Sequence, residues 1–201
     1  MYRNYIFDFG NVLCVFDPLL FTRACVRDEA QVQQIYPVVF DRLYWNALDA
    51  GTIDHARIKE AMRPRLPEGL YDSACQVLDK WVENLPPFPG MAQLVADLKA
   101  KGGKLYLLSN ISVEFTRDYQ QVSWIRELFS LFDGLVFSGP LRLVKPDSAI
   151  FTYVLDQFSL KPEESIFIDD NADNIATAAG MGIHTYRFDG DADALRRFLG
   201  L

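Results

Sequence analysis

Four short strings in this sequence end an apolar run on groups that can do chemistry. Residues 5–13 read YIFDFGNVL: a hydrophobic stretch stops on the lone carboxylate Asp8, and Gly10 and Asn11 then turn the chain. KLYLL runs into Ser109 and Asn110, GLVFS is followed by Lys145 in VKPD, and SIFI stops on the paired carboxylates Asp169 and Asp170 of DDNADN. A carboxylate placed like Asp8 is either a strand cap or a nucleophile held at the top of a parallel sheet. Taken singly, each string has an ordinary explanation. Asp and Ser-Asn cap turns and helices, a lysine before proline is a solvated loop residue, and an acidic loop suits a helix N-terminus. Four such signals in order, each at a strand end, point instead to one shared site.

The elements that must position these groups follow from the apolar spacing. From about residue 88 strand and helix patterns alternate. LVADLKAKGG closes a helix on glycine, SAIFTYVLDQF opens one behind Pro146, Asp147 and Ser148, and ADNIATAAGMG is a small-residue helix. HTYRF reads as the last strand and ADALRRFL as the last helix. All-apolar strands between helices predict an α/β fold with a parallel sheet covered on both faces. Residues 15–87 carry helical periodicity and no convincing strand, and residues 86–90 (PPFPG) read as a linker. The organisation predicted is a core of residues 1–14 and 88–201, with an all-helical insert over 15–87.

This arrangement resembles the haloacid dehalogenase-like (HAD) superfamily along the whole chain. GNVL after Asp8, LSN, VKPD and DDNADN look most like its small helical-cap phosphatases acting on sugar phosphates such as α-D-glucose 1-phosphate. The resemblance implies a Rossmann-like core and hydrolysis of a small phosphorylated metabolite through a phospho-aspartate on Asp8. It implies Mg²⁺ held by Asp8, Asp170 and the Gly10 carbonyl. Lys145 would neutralise nucleophile and phosphate, while the Ser109 hydroxyl and the Asn110 N–H would hold phosphate oxygens at a helix start. Asp169 would act behind the metal or on Lys145, and Asn174 would orient the loop. The chemistry suits these types: an ionised carboxylate needs no base to attack, and an anionic phosphorus centre needs charge neutralisation. One piece is missing. Most phosphatases of this superfamily carry a second Asp two residues after the nucleophile as general acid and base, and here that position is Gly10.

Two rival readings stand beside this one. A haloacid dehalogenase also lacks the second Asp because halide leaves unprotonated, but it has no use for a carboxylate pair at a metal site. A catalytically weak phosphate-binding regulatory protein is the other. Within the insert, Asp17 is the best candidate to accept a substrate hydroxyl. Phe16, Phe40, Tyr44 and Trp45 are core by their helical spacing and could also line a sugar-sized pocket. His55 and His184 have no partner pattern and read as structural. A formal charge of −7 argues against nucleic acid and anionic membranes as partners. No apolar run is long enough to span a bilayer, the first residues lack a signal-peptide layout, and three unpatterned cysteines predict a reduced, cytoplasmic protein.

Overall fold

The computed structural model describes residues 2–201. Its centre is a five-stranded parallel sheet in the order β3-β2-β1-β4-β5. The strands are β1 (Asn4–Phe7), β2 (Lys104–Ser109), β3 (Gly134–Phe137), β4 (Ser165–Asp169) and β5 (His184–Arg187). β1 is the middle strand, pairing Asn4 with Lys104 on one side and with Ser165 on the other. A strand hydrogen-bonded on both edges and covered on both faces has no polar side to show. The burial of all of Asn4–Phe7 is therefore what NYIF requires.

Alternation along the strands splits the core into two layers. Tyr5, Phe7, Leu105, Leu107, Ile166 and Ile168 belong to one hydrophobic cluster; Ile6, Tyr106, Leu108, Val136 and Phe167 belong to the other.

The helices between β1 and β2 are α1 (Pro18–Cys25), α2 (Glu29–Val39), α3 (Arg42–Asp49), α4 (His55–Met62), α5 (Tyr71–Lys80) and, after the linker, α6 (Met91–Ala100). The later ones are α7 (Phe115–Asp118), α8 (Ser123–Phe129), α9 (Ser138–Leu141), α10 (Ser148–Phe158), α11 (Ala172–Gly180) and α12 (Ala192–Leu199). Helices α1 to α5 form a cap with its own apolar cluster, including Val32, Ile35, Leu48, Ile58 and Val77. Within that helical insert the periodic run over residues 21–45 is divided among three helices, because Asp28 and Asp41 each turn the chain and accept backbone N–H bonds from the next helix.

The two linkers joining cap to core run side by side. Val15 N–H donates to Pro86 O at 3.0 Å and Phe88 N–H donates to Leu13 O at 2.9 Å. The cap is not a separate ball, however. Phe21, Trp81, Val82 and Leu85 pack into the core cluster, and aromatic contacts run from Phe9 through Phe115, Trp81 and Trp45 to Phe40. Among the described residues no helix is long and apolar enough to cross a membrane.

Candidate active site

The carboxyl ends of β1, β2 and β4 converge, as parallel strands in register must. Asp8 directly follows β1 and still donates its N–H to Ile168 O of β4 at 2.9 Å. Its Oδ1 accepts from its neighbour Phe9 N–H at 2.7 Å and lies 2.8 Å from Lys145 Nζ. Among the described residues no hydrogen bond is made to Asp8 Oδ2. The turn that follows needs a left-handed residue, supplied by Asn11 at φ 55°. The Asn11 side chain accepts from Phe16 N–H and reaches Asp170 Oδ2 at 3.4 Å.

Lys145 is the hub. Its Nζ sits 2.7 Å from Asp169 Oδ2 as well as beside Asp8, and only 5% of the residue is exposed. Its backbone is clamped by the Asn110 amide, which accepts from Lys145 N–H and donates to Lys145 O, both at 2.8 Å. Asp169, fully buried, is saturated: besides Lys145 it accepts from Asn171 N–H at 2.8 Å and from the Asn174 amide at 3.0 and 3.1 Å. Asn174 thus holds Asp169, while Asn171 caps α11.

The electrostatics follow from burial. Asp8 is pushed up to about 7 by desolvation, against the attraction of Lys145. Burial pulls Lys145 down, but Asp8 and Asp169 outweigh it and raise it overall. Asp170 is raised by burial and then by the charge of Asp169. Oxygens of Asp8, Asp169 and Asp170 all lie within 4.8 Å of one another. Three carboxylates against one ammonium leave two negative charges unmatched. That all-oxygen donor set fits a hard divalent cation.

These groups open into a cavity of about 450 Å³ between core and cap, the size of a small-molecule site. Ser109, at the end of β2, and Asn110 line its floor; Phe16, Phe40, Trp45 and Trp81 form an aromatic wall; Arg42, Asn46 and Asp49 of α3 give a polar edge. Cys14 also lines it, but burial raises its thiol well above the reactive range.

Three expectations change. No helix starts after Asn110, since residues 110–114 intervene before the single turn of α7, and the Asn110 side chain is committed to Lys145. Asp17 is outside the cavity lining; its Oδ1 accepts from Leu19 and Leu20 N–H and caps α1, as Asp28, Asp41 and Asp54 cap the next three helices. Tyr44 packs in the cap cluster instead of lining the cavity, Phe40 and Trp45 do both, and Phe16 lines the cavity while packing on the core cluster. His55 and His184 lie outside the cavity, beside Asp79 and Tyr2 respectively.

Sequence reasoning missed Arg42, Asn46, Asp49 and Trp81. Asp49 did carry a signal. It is the last residue of α3, where a carboxylate opposes the helix dipole, so its placement is unfavourable for the helix itself.

Comparison with known proteins agrees with this geometry. The family model for haloacid dehalogenase-like hydrolases matches residues 2–182. The sesquiterpene phosphatase astK of Aspergillus oryzae is 25% identical over 183 residues, covering 90% of this chain and 87% of that protein. In several other relatives the match is 10 to 19% of a much longer protein. A HAD family enzyme of Bacteroides thetaiotaomicron, solved in complex with magnesium and inorganic phosphate, superimposes with a TM-score of 0.72 at 21% identity, over 97% of this chain and 99% of that one. A dehalogenase solved as an intermediate complex gives a TM-score of 0.77 at 19% identity, over 98% and 96%. The family match spans nearly the whole sheet and every strand-end group described above: the chain belongs to the haloacid dehalogenase-like hydrolases.

Proposed function

We propose that this chain is a Mg²⁺-dependent phosphomonoesterase working through a phospho-aspartate on Asp8. The observation that carries it is the strand-end cluster of Asp8, Lys145, Asp169 and Asp170, with two unmatched negative charges facing the cavity. Asp8, Asp170 and the Gly10 carbonyl would hold the cation, which supplies positive charge to the phosphoryl oxygens and keeps Asp8 ionised. Asp8 Oδ1 is already held by Phe9 N–H and Lys145, so Oδ2 is the oxygen free to meet phosphorus. Lys145 would stabilise charge on the phosphoryl group, oriented by Asn110, Asp169 and Asn174. Ser109, at the cavity floor, would take a phosphoryl oxygen.

The substrate we favour is a small sugar phosphate such as a hexose 1-phosphate. Aromatic walls suit the C–H faces of a sugar ring, and Arg42 and Asn46 offer donors to its hydroxyls. Inorganic phosphate release from a panel of phosphorylated metabolites, with and without Mg²⁺, tests both statements. Hexose 6-phosphates outrunning 1-phosphates would reject the finer one. The dehalogenase reading finds support in Gly10 and in the structural likeness, but a 2-halocarboxylate would enter a cluster already two charges negative. Chloride release from 2-chloropropionate without phosphate release from any ester would reverse our choice.

A further inference from the structure

Gly10, two residues after the nucleophile, offers no acid, and the space beside it is not crowded. A Cβ built on Gly10 meets nothing within 4 Å. A reaction that must protonate an alkoxide and later deprotonate water still needs a proton carrier in the cavity.

The cavity contains one further carboxylate, Asp49, on the cap side of the same space as Asp8 and Lys145. It is half-buried, and among the described residues its carboxylate has no salt bridge and no hydrogen bond. Every other acid lining the cavity is engaged. Its backbone, by contrast, is fixed to the core. Ser138 Oγ, just past β3, donates to Asp49 O at 2.6 Å. Two residues on, Gly51 rides so close to Gly139 that an added Cβ would lie 2.1 Å from Gly139 O. The end of α3 is docked on the end of β3, and a free carboxylate is left in the cavity.

We propose that Asp49, supplied by the cap, is the general acid and base that Gly10 does not provide. This rests on the phosphatase reading above. In the first step an Asp8 oxygen bonds to phosphorus, the bond from phosphorus to the leaving oxygen breaks, and that oxygen takes the Asp49 proton. In the second, water oxygen bonds to phosphorus, the bond to Asp8 breaks, and Asp49 takes the proton the water gives up. Asp49 ends protonated and ready for the next cycle. Its carboxyl suits the first role: burial above all, then the nearby charge of Asp8, raises it well above the usual carboxylate range, with Lys145 pulling the other way.

The test compares aryl and alkyl phosphates of rising leaving-group pKa, in the presence of Mg²⁺, for the wild type, Asp8→Asn and Asp49→Asn. Wild-type rates should depend weakly on the leaving group. Asp49→Asn should lose about 10²–10⁴-fold on alkyl phosphates. On p-nitrophenyl phosphate, whose leaving group needs no proton, it should give a burst of one equivalent of p-nitrophenolate and then slow turnover. Adding Gly10→Asp to Asp49→Asn should restore the flat dependence, which a merely structural role for Asp49 does not predict. Wild-type behaviour of Asp49→Asn on alkyl phosphates, or an equal loss on both classes with no burst and no rescue, overturns the role of Asp49 and leaves the phosphatase reading standing. No Mg²⁺-dependent phosphate release by the wild type, or undiminished release by Asp8→Asn, overturns both.

Discussion

Lys145→Met removes one charge from the buried cluster and changes its shape little. The lost contacts are 2.8 Å to Asp8 and 2.7 Å to Asp169. At an effective dielectric near 20, each is about 6 kcal/mol of gross attraction. The remaining carboxylates, with oxygens within 4.8 Å, then repel by about 3.5 kcal/mol or more on the same scale. Desolvation of the ammonium cancels much of the gross figure, so the net loss expected for breaking a buried pair is about 3–5 kcal/mol. That is a large share of a domain stability of about 5–15 kcal/mol. Urea unfolding followed by tryptophan fluorescence reads it directly. The pH dependence has a definite sign. Without the lysine, Asp8, already raised by burial, is raised further in the folded state, and a raised acid opposes folding above its unfolded pKa. The deficit should be largest at pH 8 and shrink toward pH 5 as folded Asp8 gains its proton. Turnover should fall by roughly 10²–10³. A loss below about 1 kcal/mol at pH 8, independent of pH, would refute the charged cluster as the organising feature of the site.

Mg²⁺ should raise the melting temperature more at pH 8 than at pH 5.5, because Asp8 and Asp170 are raised acids and protons compete with the metal for them; equal shifts would place the ion elsewhere. Gly51→Ala puts a Cβ at φ 64° against Gly139 O, so it should lower kcat far more than it raises KM by displacing the end of α3. Unchanged kcat would mean that the docking of α3 is irrelevant to the reaction. Asp17→Ala should lower stability by about 1 kcal/mol through loss of the α1 cap and leave KM alone; a large KM effect would return Asp17 to the substrate site.

What could be read from the sequence was set by proximity along the chain. YIF, KLYLL and SIFI are legible because strands buried on both faces must be continuously apolar, and Asp8, Ser109 and Asp169 are legible as the polar groups that end them. Lys145 sits beyond β3 but within its connection, close enough to be tied to it. Asp49 and Trp81 reach the cavity only when the cap folds over the sheet, and helical spacing alone cannot separate a wall from a core. Asn110 misled because a hydroxyl-amide pair after a strand looks like a helix start, whereas its amide is committed to a lysine 35 residues on. Asp17 misled because a carboxylate at the start of the insert suggests a partner for a substrate hydroxyl, while the regular use of Asp to start α1, α2, α3 and α4 is visible only once all four are seen together.

The central place of β1 has a consequence for how the molecule is made. β1 leaves the ribosome before either of its neighbours: Asn4 meets Lys104 on one edge and, 161 residues later, Ser165 on the other. The cap cluster, from Val26 to Leu78, is complete long before that. Vectorial synthesis therefore delivers a helical domain able to collapse on its own contacts while a largely apolar strand waits with both sides unpaired. The aromatic contacts from Phe9 and Trp81 through Phe115 are likewise deferred until the second half of the core arrives. Residues 104–169 do not add a domain to a finished core; they are what completes the pairing of β1.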